Sequence, residues 1–391
     1  MTGSALLTPQ RYRSAYRFWL PTAMAFFVNG VGFGGWAAQV PRATARLGAD
    51  EGAFGLMLLG MGIGAVLAMA FSGRLISRYG AGPLMRLSFV IFLATYIVLS
   101  TSSSWGVFVA ALLLFGAGGG MMDVAMNAYA SDVEAHKNWR VMASFHGMWS
   151  IGGLIGAALA STMLAIVSDL TQALVLTAAL AGLFMLCQHN LIPLQHPAAE
   201  RSHQRFVIGR LTLILGLLAA LSFAAEGAVR DWSSLFLANE IRTTIDRAGW
   251  GFAAFSATMA ICRFSGDWMR SRFGERNVVV LSGIVAVVGF ALAVTSADYL
   301  VVVAGFALVG LGLSNIVPIL ISAAGRTSAP GSSIAFVVSL GYAGYLASPP
   351  ILGLIAAQAS LATMFLIVAA SCVVISAGWM LVEKTMVSTS A

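Results

Sequence analysis

The chain has 391 residues, of which 59% are hydrophobic and only 9% are charged. Soluble globular domains carry about 25% charged residues, so this composition excludes a water-soluble fold. The mean hydropathy of +0.87 is typical of a protein that crosses a membrane many times. The net charge of +7 comes from Lys and Arg spread over short segments, a distribution that indicates membrane topology and excludes nucleic acid as a partner.

The sequence predicts twelve membrane-spanning helices. Each of twelve apolar runs is long enough to cross a hydrocarbon core of about 30 Å, and segments this long in lipid must be helical because their backbone groups have to be bonded internally. The predicted spans are 18–40, 53–73, 84–102, 105–130, 142–167, 170–190, 208–237, 248–268, 277–296, 299–324, 333–357 and 360–382. The polar segment 191–207 follows the sixth run, so we expect a cytoplasmic linker there between two six-helix bundles, 1–190 and 208–391.

Basic residues predict the orientation of these spans. With the N-terminus placed on one side, the loops of the opposite side hold only Arg42, Arg46, Arg242 and Arg247. Arg230 and Arg263 fall within or at the edge of spans, and the remaining sixteen Lys and Arg lie on the N-terminal side. Short loops rich in Lys and Arg stay in the cytoplasm, so we expect both termini there.

A short motif occurs once in each predicted half, 193 residues apart: SGRLISRYGAG (Ser72–Gly82) and SGDWMRSRFGE (Ser265–Glu275). The first Gly lets two helices approach closely, the Arg can meet the carbonyl end of a helix, and the last Gly permits a tight turn. Because the motif has the same topology in both halves, the halves are interpreted as parallel repeats. The candidate gating residues are Gly73, Arg78, Gly80, Gly266, Arg272 and Gly274.

Twelve spans in two halves, with this motif after the second and eighth helices, resemble the major facilitator superfamily over essentially the whole chain. The resemblance implies an all-α membrane protein of twelve transmembrane helices in two pseudo-symmetric six-helix bundles. The superfamily usually has an Asp just before the Arg of the motif, where this chain has Ser77 and Ser271. Asp267 could replace it in the second half, in a different register.

Four stretches more specifically resemble the fucose-permease-like branch, which includes poorly characterised bacterial inner-membrane proteins. They are Asp123–Tyr129, Ser144–Gly156, Phe223–Trp232 and Gly341–Gly353. The resemblance implies a transporter of the bacterial inner membrane in which the acid of the fourth helix, Asp123, is a proton or substrate group. The sugar symporters of the branch also use an acid in the first helix, where this chain has Ala37, and this weakens sugar as the substrate.

Asp123, Asn127 and His146 are the first candidates for chemistry. An ionisable group inside a span costs roughly 2.5 kcal/mol or more and usually faces a partner or a wet cavity. Asp123 and Asn127 are four residues apart and share a helix face, and counting from the charged loop between helices 4 and 5 places His146 within about 5 Å of the depth of Asp123. We expect Asp123 and His146 to share a hydrogen bond or to pass a proton. A purely structural bond between the two helices is the alternative.

The seventh predicted helix contains a second charged group. Glu226 and Arg230 are four residues apart and can pair along the helix, and Asp231 follows directly. Glu226 is a further proton-coupling candidate, and Arg230 could attract an anionic substrate. A salt bridge that closes the extracellular mouth, or plain interfacial placement, is the alternative.

Other polar and aromatic residues in the spans are candidates for substrate contact, with interhelical packing as the alternative. Pro318 removes a backbone bond and can kink the tenth helix beside Asn315, whereas Arg263 is expected to snorkel or cap a helix. The complete set of substrate-binding candidates is Asn127, Arg230, Asn315, Tyr342, Tyr345, Trp36 and Gln39.

The sequence predicts transport rather than catalysis. It has no phosphate-binding Gly-Lys-Ser/Thr loop, no HExxH and no supported Ser-His-Asp arrangement, so we expect no enzyme activity, no cofactor and no metal. The prediction is a monomeric secondary active transporter in contact with lipids, moving a small solute, coupled to protons, by alternating access. An efflux antiporter for drugs or metabolites, a uniporter and a non-transporting membrane sensor are the alternatives.

Overall fold

The computed structural model describes the backbone of residues 9–137, 142–188, 209–327 and 329–390. The helix Trp250–Thr295 is broken at Gly274 and therefore forms two helices, α8 (250–273) and α9 (275–295). A one-turn helix, Ile245–Ala248, precedes α8. The other long helices are α1 Pro9–Leu47, α2 Glu51–Tyr79, α3 Ala81–Thr101, α4 Trp105–Lys137, α5 Met142–Leu164, α6 Asp169–Gln188, α7 Arg210–Asn239, α10 Tyr299–Leu313 with Ile316–Ala324, α11 Pro330–Gln358 and α12 Leu361–Ser390.

The prediction of twelve spans is confirmed. Ten stretches of the described residues are long and apolar enough to cross a membrane, and one of them, Ile245–Thr295, holds both α8 and α9. Together with α1, this makes twelve crossings in an all-α fold. The predicted linker, 191–207, lies outside the described residues.

The tenth helix breaks where the sequence predicts a kink. The first part ends at Leu313 and the second begins at Ile316, with Ser314 and Asn315 between them. Pro318 has no N–H to donate to the carbonyl one turn earlier, so the backbone bond that would bridge this break is missing. The break places Asn315 against α8.

The two copies of the repeated motif end in the same turn. Gly80 has φ 85° and ψ 161°, and Gly274 has φ 78° and ψ 152°. Only glycine adopts this region without strain, so each motif stops one helix and begins the next at its last Gly. The shared backbone conformation, 194 residues apart, supports the interpretation of the halves as parallel repeats.

The two halves meet through α2 against α11, α5 against α8 and α1 against α7. Because the chain crosses twelve times, α1 begins and α12 ends at the same end of the bundle, here named the basic end. The opposite end carries the turns after α1, α3, α5, α7, α9 and α11, and we name it the closed end.

Packing at the closed end is dense. A Cβ at Gly353 of α11 would lie 2.5 Å from the carbonyl oxygen of Glu51 and 2.9 Å from the Cα of Gly55, both in α2. The ring of Phe54 lies between Trp36 of its own half and Trp232 of the other half, at centroid distances of 6.4 and 6.1 Å. Backbone contact and interlocked aromatic rings therefore shut this end in the conformation described.

Candidate functional site

Asp123 joins the two halves near the middle of the bundle. Its Oδ2 accepts a hydrogen bond of 2.7 Å from the hydroxyl of Tyr342 in α11, and its Oδ1 accepts one of 3.0 Å from Nδ2 of Asn127. The carboxyl group thus faces the partner bundle rather than lipid. Among the described residues it has no cationic partner, so its negative charge, when present, is stabilised only by neutral donors.

The hydrogen bond expected between Asp123 and His146 is absent from this conformation. Both oxygens of Asp123 are taken by Tyr342 and Asn127, while the His146 ring packs edge-on against Phe26 at 5.2 Å. His146 instead faces the charge of Arg263. His146 is thus directed toward α1 and α8, whereas Asp123 is bonded within α4 and to α11.

Glu226 pairs with a different arginine from the one predicted. Its Oε2 lies 3.4 Å from Nη2 of Arg263 in α8, whose Nη1 donates to Ser150 Oγ of α5 at 3.1 Å. The expected pair of Glu226 with Arg230, one turn along the same helix, is therefore wrong. So is the expected snorkelling of Arg263, because its side chain is only 15% exposed and is held between α5 and α7.

Arg230 forms a closed unit with its neighbour. Its Nε and Nη2 donate to the two carboxylate oxygens of Asp231 at 2.7 and 2.6 Å. Its guanidinium lies 4.4 Å from the ring centroid of Tyr345 and 5.6 Å from that of Phe33, which belongs to the other half. With one face on Tyr345 and its charge neutralised, Arg230 binds structural partners here rather than an anionic substrate.

Three predicted substrate residues are packed into helix contacts. Trp36 is fully buried among Phe54, Phe108 and Phe115 at the closed end. Gln39 donates to Gln172 Oε1 at 2.7 Å inside the first half. Asn315 is buried against Gly266, where a Cβ would have no room. The structure therefore separates these three from the group around Asp123, whereas it brings Asn127 and Tyr342 to that group and places Tyr345 on Arg230.

Charges at the basic end are organised around a residue that the sequence analysis missed. Glu275, the first residue of α9, accepts from Nη2 of Arg270 and from Nη2 of Arg326, both at 2.6 Å. Asp267, the expected replacement for the missing acid of the motif, is 86% exposed and 3.9 Å from Arg270. The sequence signal that could have identified Glu275 is its position in the motif, directly after the turn glycine Gly274.

The other motif residues have few contacts. Arg78 lies 5.2 Å from the ring centroid of Tyr79, Arg272 is exposed, and Gly73 has open space where a Cβ would stand. Their gating role stays a prediction.

The central group therefore links two packed bundles through the hydrogen bonds of one buried carboxyl group. The model of the Major Facilitator Superfamily matches residues 22–225 and 212–390. The chain belongs to this family and is a multi-pass membrane transporter of a small solute.

Relatives cover almost the whole length. An uncharacterised MFS-type transporter of Yersinia pestis is 34% identical over 350 residues, covering 88% of this chain and 90% of its own. The membrane protein MosC of Rhizobium meliloti is 30% identical over 360 residues, covering 90% of this chain and 87% of its own.

Solved transporters share the fold at low identity. A variant of the nucleoside transporter NupG matches with a TM-score of 0.75 and 16% identity over 93% of this chain and 99% of its own. The fucose:proton symporter FucP of E. coli matches with a TM-score of 0.62 and 15% identity over 93% and 98%. At these identities the likeness concerns the fold alone.

Proposed function

We propose that this transporter couples solute movement to protons and that Asp123 carries the coupling proton. The supporting observation is the bond between Asp123 and Tyr342, which spans the two halves at mid-depth without a compensating cation. A carboxylate in such a place can be ionised and held by neutral donors, or protonated and neutral. Switching between them changes a contact that joins the halves.

In alternating access, the protonation of Asp123 would affect how the two halves move. The halves rock against each other around a central site in transporters built from repeats. In the conformation described, the closed end is shut and Asp123 holds Tyr342. Protonation removes the charge that makes this hydrogen bond strong, so the contact weakens and the halves separate more easily. We infer that solute and proton together favour this change.

Placement in the membrane follows from the charges. Since Lys and Arg of short loops stay in the cytoplasm, we propose that the basic end and both termini face the cytoplasm and that the closed end faces outward. The fold-level likeness to a fucose:proton symporter supports placing the chain in the fucose-permease-like branch of the bacterial inner membrane, working as a monomer among lipids with protons as co-substrate.

Proteoliposomes test the coupling. A ligand is first found by thermal-shift screening of the purified protein against sugars, organic acids, amino acids and drugs, and its accumulation is then measured with and without an imposed pH gradient. Asp123→Asn should abolish gradient-driven accumulation but preserve counterflow of labelled against unlabelled ligand. Asp267→Asn makes the same chemical change at an exposed carboxylate and should leave both unchanged.

Three results would count against the proposal. Accumulation by Asp123→Asn at the wild-type level would remove Asp123 from the mechanism. Wild-type transport that ignores the pH gradient would point to a uniporter, and ligand binding without counterflow would point to a membrane sensor. An outward movement of ligand against an inward proton gradient keeps Asp123 in its role but makes the protein an efflux antiporter.

A further inference from the structure

Two arginines lie in the middle of the bundle, and they are held very differently. Arg230 makes two bonds of 2.7 and 2.6 Å to Asp231, and the side chains of the pair are 7% and 0% exposed. Arg263 makes a single contact of 3.4 Å to Glu226, with side chains 15% and 19% exposed. Strong charge-assisted bonds measure about 2.7–2.9 Å. Arg230 is therefore locked, whereas Arg263 is more loosely paired and slightly more exposed.

Arg263 also has donors to spare. A guanidinium carries five N–H groups, and the described contacts of Arg263 are one to Glu226 and one to the neutral hydroxyl of Ser150. Ser150 belongs to the first half and Arg263 to the second, so the guanidinium lies where the two bundles meet. A weakly paired cation between the two bundles is suited to receive an anion.

We propose that Arg263 binds the carboxylate of the substrate and that Glu226 takes up a proton when it releases Arg263. The inference rests on the proposed function, because it requires an alternating-access carrier with its site between the halves. It names the substrate class: a small monocarboxylate with an apolar, preferably aromatic, body. It also names a second proton-binding group besides Asp123.

Charge balance selects a monocarboxylate. When the substrate replaces Glu226 at Arg263, one carboxylate takes the place of another, and the displaced Glu226 accepts one proton from water to become a neutral acid. One negative charge and one proton enter together, so the net charge of the site does not change. A phosphate or a dicarboxylate would bring a second negative charge that the single loosely paired guanidinium does not balance.

The groups around Glu226 are consistent with this exchange. Arg263 on α8 and Arg230, one turn along α7, are the charges that act on Glu226, and Arg230 is neutralised by Asp231. On α5, His146 faces Arg263. On α11, Tyr342 packs on Phe223, one turn before Glu226, and offers a hydroxyl. Among the described residues of α1, α10 and α12, no ionisable group acts on Glu226.

Aromatic rings from both halves give the site its apolar walls. Phe33 of α1 and Trp149 of α5 lie 6.3 Å apart in the first half, and Phe223 of α7 and Tyr342 of α11 lie 5.5 Å apart in the second. All four are only partly buried. Ligand sites typically combine such apolar walls with a few polar groups that fix orientation, so we expect the body of the substrate to pack between these rings.

Paired ligands test the substrate class. The probes are benzoate, phenylacetate and hexanoate, each compared with its uncharged amide, and thermal stability of the purified protein is the readout. At least one carboxylate should stabilise the protein while its amide does not. A panel in which no carboxylate stabilises the protein, or in which the amides act as well, would overturn the proposal.

Variants then separate the roles of the two residues. Arg263→Gln should weaken binding of the carboxylate about tenfold or more, Arg263→Lys should weaken it less, and exposed Arg276→Gln should not change it. Calorimetry in buffers of different ionisation enthalpy should show about one proton taken up per ligand bound in wild type. In Glu226→Gln, the proton that Glu226 takes up should be missing from this number. Unchanged binding by Arg263→Gln, or unchanged proton uptake in Glu226→Gln, would refute the assignment.

These outcomes are distinct from those of the coupling test. If Asp123→Asn abolishes driven accumulation while Arg263→Gln binds ligand normally, proton coupling stands and the substrate assignment falls. If Arg263→Gln loses the ligand while Asp123→Asn still accumulates it, the substrate assignment stands and the coupling role of Asp123 falls.

Discussion

At the residue scale, the buried ion pair of Arg230 and Asp231 affects the stability of the protein most when only one partner is removed. Arg230 and Asp231 neutralise each other away from water, and Tyr345 covers the guanidinium face. Removing one member of such a pair leaves an uncompensated charge in a medium that solvates it poorly. Replacing both members with apolar groups avoids that penalty. The pair is therefore a structural unit, and its effect on stability should be strongly non-additive.

We predict that Arg230→Met lowers the free energy of unfolding by about 3–5 kcal/mol, the range measured for breaking buried pairs. The double variant Arg230→Met with Asp231→Leu should recover most of this loss. Thermal unfolding of the purified protein in detergent measures both. Equal stabilities of the single and the double variant would show that Asp231 is not left unpaired and would contradict the structure.

Sequence reasoning at this scale finds the charged residues but not their partners. Asp123 and Glu226 stand out because each is an acid in an apolar run. The i,i+4 rule then suggests Arg230 for Glu226, but it considers only one helix. The actual partner, Arg263, comes from α8, and its choice depends on how α7 and α8 are rotated against each other. No pattern within a single helix contains that rotation, and the same reason explains why His146 misses Asp123.

At the element scale, the sequence predicts where helices end better than it predicts which side chains pair. Asp50 caps α2 by accepting from the N–H of Ala53 at 2.7 Å, and Asp298 caps α10 by accepting from Leu300 and Val301. The turn glycines Gly80 and Gly274 stop α2 and α8 with a backbone that other residues adopt only with strain. These local signals, together with apolar run length, are why the predicted spans match the helices closely. The break in α10 was also predictable, because Pro318 affects only its own helix.

Acid should weaken the link that Glu275 makes between α8, α9 and α10. Glu275 lies at the turn outside the predicted spans. Burial raises its pKa, but the hydrogen bonds and charges of Arg326 and Arg270 more than offset this, so its pKa is below the ordinary value of 4.5. A carboxyl group with a lowered folded-state pKa stabilises the protein above the unfolded-state pKa, and this contribution is lost as the pH falls through the folded-state value.

We therefore predict that Glu275→Gln lowers the thermal midpoint at neutral pH but has no effect once the pH is well below 4.5. The measurement is the thermal midpoint of wild type and variant across a pH series. Glu383→Gln is the control, since its pair with Arg276 is exposed and should contribute little at any pH. A constant difference between wild type and Glu275→Gln down to the lowest pH would contradict the assigned charge state.

Opposite ends of the whole molecule have opposite character. The closed end is sealed by backbone contact between Gly55 and Gly353 and by the ring of Phe54 between two tryptophans. It also contains buried polar atoms without partners among the described residues, including Nε1 of Trp36 and of Trp232 and Oγ of Ser256. Buried polar groups without hydrogen bonds are unfavourable, so opening this end to water would return hydrogen bonds to them. This would offset part of the packing energy that opening costs.

A bulky residue at Gly353 should hold the closed end open. A Cβ there already collides with Glu51 and Gly55, and overpacking of this kind costs about 1–3 kcal/mol, which changes an equilibrium roughly 5- to 150-fold. Ser256 of α8, 1% exposed and facing Gly153 of α5, reports on the opening once it is replaced by Cys in a chain lacking its three native cysteines.

In purified protein, Ser256→Cys should react slowly with a water-soluble maleimide. Adding Gly353→Leu should raise the rate of this reaction roughly 5- to 150-fold. Gly182→Leu introduces the same side chain where a Cβ meets nothing within 4 Å, so it should leave the rate unchanged. Equal rates with and without Gly353→Leu would mean that α2 and α11 do not control access to this end. Since Asp123 meets Tyr342 of the same α11, Asp123→Asn in the same background should also raise the rate, which would connect the charge at the centre to the packing at the closed end.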